Sequence, residues 1–184
     1  THGHEDHIGA IPYLLKNINI PVYGTRLTLG LVENKLKEHQ IYGDLRTIKA
    51  GDKLKLGCFN IEPIRMTHSI ADAICLAIDT PAGMVFHSGD FKIDYTPVDG
   101  EPIDFCKLAE LGKKGVTLML CDSTNAVRPG FTASERVVGR TLENIFRTAK
   151  NRIIIATFSS NVHRVQKIIE NAVKMGRKVA VSGR

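Results

Sequence analysis

The opening residues, Thr1-His2-Gly3-His4-Glu5-Asp6-His7, set three histidines and an aspartate almost side by side. Imidazole nitrogens and carboxylate oxygens are the usual ligands of a hydrolytic zinc. His2 and His4 lie two apart, so on an extended loop both rings can point the same way. Asp6 and His7 follow at the turn into a helix, within reach of a second metal beside the first. A polyhistidine tag would lack the aspartate, the unequal spacing and the amphipathic helix that follows. Two metals about 3.5–4 Å apart can activate water and neutralise charge on a phosphoryl group under attack, so the pattern points to metal-assisted hydrolysis.

Two later segments bear on the same chemistry. In Met66-Thr67-His68-Ser69 the histidine follows a run with strand character. In His87-Ser88-Gly89-Asp90-Phe91 the aspartate sits on a glycine turn, where each carboxylate oxygen can hold one metal. Taken singly, a strand-end histidine and a turn aspartate are usually structural. Their combination with the N-terminal cluster makes them candidate ligands.

These residues need elements to position them. Ile8, Ile11, Leu14 and Leu15 recur at helical spacing, and a second helix is expected over about 25–39, with Leu27, Leu31 and Leu36 on its apolar face. From about 53 to 121 the pattern changes to short strands: Lys53–Phe59, Asn60–Met66, Ala73–Asp79, Met84–His87 and Val116–Cys121, punctuated by Gly51-Asp52, Gly57 and Pro81-Ala82-Gly83. This predicts a mainly antiparallel meander. After Pro129-Gly130 comes a helix capped by Ser134 with Val138, Leu142, Ile145 and Phe146 on one face. A strand at 153–156 follows, then a helix with Val162, Val165, Ile168, Ile169 and Val173 as its buried stripe, then a strand at 178–181. That order predicts parallel pairing with a right-handed crossover. The expected class is α/β with α+β character, in two parts: residues 1–127, and 128–184.

Composition bounds the rest. The chain has 184 residues, 43% hydrophobic and 24% charged, as in an ordinary soluble globular protein. The net charge of +6 favours polyanions such as nucleic acid, though modestly. Cys58, Cys75, Cys106 and Cys121 form no CxxC pair, which argues against a cysteine zinc site; they read as reduced core residues of a cytoplasmic protein. No apolar run is long enough for a membrane span. His39 and His163 read as solvent-facing, and Lys35, Lys37, Lys113 and Lys114 as a hydrated surface.

Taken together, the cluster at 2–7, His68 and Asp90 resemble the metal positions of the metallo-β-lactamase superfamily. By that resemblance His2, His4 and His68 hold one zinc, Asp6 and His7 hold the second, and Asp90 bridges them. Histidine rather than glutamate at position 4 resembles the dizinc hydrolases of the superfamily, not its di-iron oxidoreductases. The stretches 1–9, 86–92, 120–125 and Thr157-Phe158-Ser159-Ser160-Asn161-Val162-His163-Arg164 are similar to bacterial ribonuclease J, in which a β-CASP domain is inserted into the lactamase fold. The resemblance implies a partial αββα sandwich followed by the start of a βαβ β-CASP insert. It implies RNA phosphodiester hydrolysis by a hydroxide that two zinc ions activate, with 5′-to-3′ exonuclease and endonuclease action; manganese or magnesium could replace zinc. It also implies a homo-oligomer or a paralogous nuclease subunit as partner.

Asp122 matches the acidic residue of the first β-CASP motif, where it would join Asp6 and Asp90 in catalysis by orienting a histidine; it reads equally as a strand-end cap. Ser160, Asn161 and Arg164, at a strand-to-helix turn, are candidate RNA-phosphate contacts, with ordinary helix capping by Ser160 as the other reading. The resemblance places the first lactamase strands before residue 1 and a further ligand histidine after residue 184, so the isolated chain is expected to have weak activity and incomplete metal occupancy. The competing readings are a hydrolase of lactams, thioesters or lactones on the same fold, and a metal-free RNA-binding protein.

Overall fold

The computed structural model describes residues 1–98 and 100–183. The N-terminal part holds α1 (Glu5–Ile8), α2 (Ile11–Leu15), β1 (Val22–Gly24), α3 (Arg26–Glu38) and β2 (Leu45–Thr47). The single helix read across 8–15 is two short ones, broken at Gly9-Ala10, with Pro12 in the first turn of α2. Proline suits a first turn, where its missing N–H has no helical partner to lose. Strands β1 and β2 pair in parallel. Both were missed in the sequence, because three residues are too few to show a period.

Ile8, Val32 and Leu36 form a small core here, with Ile11, Leu15, Leu31, Ile41 and Leu45 around it. The buried face of α3 is therefore Thr28, Leu29, Val32 and Leu36, while Leu27 is 37% exposed. Lys35 is no free surface charge: it donates to Glu5 at 2.6 Å and ties α3 to the helix that follows the histidine loop. His39 is half-buried at the surface, with its ring edge-on to the exposed Tyr13.

The second part is a five-stranded sheet in the order β3-β4-β5-β6-β7, comprising β3 (Leu54–Leu56), β4 (Phe59–Arg65), β5 (Ile74–Thr80), β6 (Gly83–His87) and β7 (Leu118–Leu120). The first four run antiparallel, as the alternation and turn residues predict; β7 joins β6 in parallel after a crossover through α4 (Phe105–Lys114). Cross-strand register puts Ile64 beside Cys75 and Ala77 beside Phe86, so these residues form an apolar patch on one face of the sheet, with Glu62 at its margin paired to Lys107 of α4. Ile103, Leu108 and Leu111 cover it from the α4 side. Asp104 caps α4 by accepting the Lys107 N–H at 2.9 Å.

The third part is a helix pair, α5 (Glu135–Thr148) and α6 (Val162–Lys174). Ser134 caps α5, as its position predicts. Asn161, not Ser160, caps α6, accepting the Arg164 N–H at 3.1 Å. The runs at 153–156 and 178–181, expected as strands, pair with nothing among the described residues. Their apolar composition fits a strand, but a strand exists only when a neighbour completes its hydrogen-bond ladder, and Ile154 and Val181 face solvent. The stripe read on α6 is also less buried than expected: Val162, Ile169 and Val173 are exposed, and Asn171 and Ala172 take the interior places. The mixed α/β class stands.

All four cysteines are free, but only Cys75 lies in the core; Cys58, Cys106 and Cys121 are exposed. Burial pushes the Cys75 thiol up to about 12. With a disulfide reagent such as DTNB, the native protein should release three equivalents quickly and the fourth only on unfolding. Four fast equivalents would contradict this packing.

Candidate metal centre

The histidine loop is held between strand ends. The carbonyl of Thr1 accepts the Ile74 N–H at 3.0 Å, docking residues 1–4 on the start of β5. Helix α1 begins immediately afterwards, with His4 as its N-cap residue in extended conformation, so that His2 and His4 lie before the helix and Asp6 and His7 on it. His68 lies in the β4–β5 connection and Asp90 just past β6. Those two loops are tied to each other: the Lys92 N–H donates to the Thr67 carbonyl at 2.8 Å, and the Thr67 hydroxyl donates back to the Lys92 carbonyl.

The rings converge closely. His4 Nδ1 lies 3.1 Å from His2 Nε2 and 3.1 Å from His68 Nε2. Asp90 Oδ2 lies 3.8 Å from His2 Nε2 and 3.9 Å from His68 Nε2. The other oxygen, Asp90 Oδ1, is 3.3 Å from His7 Nε2, which in turn is 3.6 Å from Asp6 Oδ2. Two ligand sets result: His2, His4, His68 and Asp90; and Asp6, His7 and Asp90, with ligand atoms within 4.8 Å of one another in each. The carboxylate of Asp90 is common to both and turns one oxygen to each.

Hydrogen bonding alone explains this poorly. His4 Nδ1 has one in-plane lone pair or one proton, yet faces two ring nitrogens at equal distance. Donor atoms on a tetrahedral zinc at 2.0–2.1 Å stand about 3.3 Å apart, close to the spacing found here. The electrostatics agree with a ligand role, which requires neutral imidazole. Burial, then the neighbouring His7, His68 and His4, pushes His2 down to about 3. Burial likewise lowers His4, against the opposing pull of Asp6 and Asp90. His68 is lowered by burial and by His4, with Asp90 and Asp122 opposing. The residues fit a pair of cations.

Several neighbours escaped the sequence reading. Ser69 Oγ stands 3.4 Å from His4 Nε2, and Thr1 Oγ1 3.1 Å from His2 Nδ1, each on the ring nitrogen that points away from the cluster. Ser88 is buried; its hydroxyl donates to the Gly89 carbonyl at 2.6 Å and accepts the Asp122 N–H at 2.9 Å. Their one signal was adjacency to the candidate ligands. Asp122 is not among the converging groups. One of its oxygens accepts the Phe91 N–H at 3.4 Å, and the other accepts the backbone N–H and hydroxyl of Thr124 at 2.8 and 2.7 Å. It thus supports the loop that carries Asp90. Burial acts to raise its pKa, but the Thr124 and Phe91 hydrogen bonds outweigh it and hold the carboxyl below its ordinary range.

Ser160, Asn161 and Arg164 lie apart from the cluster in the local structure of α6. Ser160 is exposed, Asn161 is buried with its Oδ1 in the cap, and Arg164 donates from Nη2 to Glu135 Oε1 at 2.8 Å. His163 lines a small cavity together with His68.

Six side chains that could hold metal thus converge, from the N-terminal loop, the start of α1 and the two loops bearing His68 and Asp90, into two adjoining sets. Residues 1–98 match the family model of the metallo-beta-lactamase superfamily, and residues 150–184 match the model described as Ribonuclease J, beta-CASP domain. The chain belongs to the metallo-beta-lactamase superfamily. Within it, the whole chain is similar to proteins named Ribonuclease J: 53% identical over 188 residues to that of Synechocystis sp. and 45% identical over 193 residues to that of Thermus thermophilus. The chain spans 29% and 34% of those two relatives. A crystal structure of a protein of unknown function from Enterococcus faecalis V583 shares the fold, with a TM-score of 0.62 at 19% identity, over 90% of this chain and 47% of that one.

Two outcomes follow from this geometry. Gly89 has φ +57°, and a Cβ there would meet Thr1 Cβ at 3.0 Å and the Ile74 carbonyl at 3.1 Å. Gly89→Ala should therefore cost about 1–3 kcal/mol and loosen the Asp90 loop. Gly139→Ala, on a helix with open space around it, should be neutral or stabilising by up to about 1 kcal/mol; denaturant midpoints compare the two. The second outcome concerns acid. An unfolded histidine takes up its proton near pH 6.5, whereas folded His2 does so near 3. Between those values the unfolded state binds more protons, so stability rises with pH. Metal-free protein should be fully stable above about pH 6.5 and lose stability steadily as pH falls toward 3. A denaturant midpoint that stays flat from pH 7.5 to 5 would contradict it.

Proposed function

We propose that this chain carries the metal centre of a ribonuclease: a zinc-dependent phosphodiester hydrolase with 5′-to-3′ exonuclease and endonuclease action in RNA maturation and decay. The observation that carries the reading is the Asp90 carboxylate, whose two oxygens face two separate ligand sets. The similarity of the whole chain to proteins named Ribonuclease J supports RNA as substrate.

In this reading His2, His4 and His68 hold one ion, Asp6 and His7 the other, and Asp90 both. When bound, two such ions supply Lewis acidity toward a phosphoryl oxygen and a nucleophile at neutral pH. Zinc suits the imidazole-rich set; manganese or magnesium is the alternative occupant. The chain's own residues then have distinct tasks. The depressed pKa values of His2, His4 and His68 keep their nitrogens free to ligate at neutral pH. Thr1 and Ser69 orient the rings of His2 and His4 from behind. Asp122 holds the Phe91 backbone and so fixes Asp90. Arg164, with Ser160 and Asn161 at the head of α6, is assigned to RNA phosphate, which requires Arg164 to share itself with Glu135. The functional units are residues 1–127 and 128–184, a division that fits family matches ending at 98 and starting at 150. We place the protein in the cytoplasm, as a homo-oligomer or with a paralogous nuclease subunit. Four free cysteines fit a reducing compartment, and among the described residues no helix is long and apolar enough to cross a membrane.

The test is made on the full-length protein. It should bind about two zinc ions per chain and degrade 5′-monophosphorylated RNA while leaving a chromogenic lactam intact. His4→Ala should lose at least one ion and about a hundredfold or more in rate. Lactam turnover without RNA turnover would replace this reading with a small-molecule hydrolase, and unchanged metal content in His4→Ala would remove the assignment of His4.

A further inference from the structure

The positive charge of this chain is concentrated in one place. Residues 130–184 hold eleven lysines and arginines against three acidic residues, a formal +8, whereas residues 1–129 hold fourteen against sixteen, a formal −2. The modest total of +6 therefore hides a strongly basic segment on a slightly acidic body. Such asymmetry is the signature of a polyanion partner.

Structure narrows the segment to a groove. A cleft of about 370 Å³ runs between α5 and α6, with Arg136, Arg140, Lys167 and Lys174 on its walls. All three acidic residues along it are already engaged: Glu135 with Lys92 and Arg164, Glu143 with Lys174, and Glu170 with Lys167. The guanidinium groups of Arg136 and Arg140 make no hydrogen bond or ion pair among the described residues. They stand one helical turn apart on the same face of α5, about 5–6 Å between Cβ atoms. Two uncompensated guanidinium groups in line present forked donors suited to successive phosphates.

The cleft also neighbours the loop that carries His68. Pro97, Val98 and Glu135 line it, and the same three residues line the small cavity that His68, Lys92 and His163 border. The two hollows thus share part of their lining, which sets the wall bearing Arg136 and Arg140 next to the loops that carry His68 and Lys92. We propose that this groove is a binding track for single-stranded RNA, in which Arg136 and Arg140 grip the phosphates of nucleotides flanking the bond at the metal centre. The proposal rests on the ribonuclease reading and adds to it a specific subsite away from the ligands. The track reads no base; it holds backbone, so it should favour length over sequence.

The experiment uses full-length protein stripped of metal with a chelator, so that RNA is bound but not cut. Fluorescence anisotropy follows labelled 20-nucleotide and 3-nucleotide single strands from 50 to 300 mM KCl. The variant Arg136→Ala/Arg140→Ala should lose about tenfold in affinity for the 20-mer, and its salt slope should fall by about 1.4, two phosphate contacts at about 0.7 each on single strands. Binding of the 3-mer should be unchanged. The control Lys113→Ala/Lys150→Ala removes the same charge outside the cleft and should keep the wild-type slope. Wild-type affinity and slope in the arginine variant, or an equal loss in the control, would overturn the track while leaving the nuclease reading in place. Wild-type protein that neither binds the 20-mer nor, with metal restored, cleaves RNA would overturn both.

Discussion

Four imidazole rings crowd around one carboxylate, with ring centroids of neighbouring histidines 4.1–4.8 Å apart. Groups that all offer lone pairs, and that repel one another if protonated, do not gather on their own account. The rest of the fold supplies the enforcement. The histidine loop is pinned to β5 through the Thr1 carbonyl, and the loops bearing His68 and Asp90 are cross-linked through Thr67 and Lys92. Gly89 permits the close approach that brings Asp90 over the cluster. Asp122, just past β7, braces that turn by donating its N–H to Ser88 and accepting the Phe91 N–H. Strand order matters here, because β5 runs antiparallel between β4 and β6, so the loops that leave β4 and β6 emerge at the same end of the sheet.

How much of this was legible in the sequence depends on the range of the information. The meander from 54 to 87 was readable because alternation and glycine turns are local. The candidate ligands were readable because their side-chain types are rare in such density. Strands β1 and β2 were not, being three residues each and dependent on a long-range parallel pairing. Apolar composition overstated the runs at 153–156 and 178–181, since composition records what a segment tolerates and not whether a neighbour pairs with it. Cysteine showed the same weakness: Cys58 falls in a turn between β3 and β4 and is exposed, although its surroundings read as strand. Ser69, Ser88 and Thr67 were invisible as individuals, because a hydroxyl's task is set by what lies opposite it in space.

The Lys92–Glu135–Arg164 cluster shows how the parts are joined. Glu135, on the first turn of α5, accepts from a lysine on the loop after Asp90 and from an arginine on α6. Its own backbone N–H donates to the buried Asp94 at 3.3 Å, and Ser134 bonds to the Thr96 carbonyl at 3.2 Å. A partly buried carboxylate shared by two cations is costly to break, because removing either partner leaves charge away from water. The helix pair is therefore seated on the same loop that presents Asp90, and its motions relative to the metal centre are limited by that seat.

Strand β7 has a practical bearing on the molecule in solution. It closes one side of the five-stranded sheet, and its residues Leu118, Met119 and Leu120 are 50%, 56% and 47% exposed. Among the described residues no strand pairs with its outer edge, and an apolar strand edge of this kind invites a visiting strand to zip alongside it. Concentrated samples of the 184-residue chain will tend to stick to one another there, and cloudiness on storage or heating would originate at this margin before the interior melts.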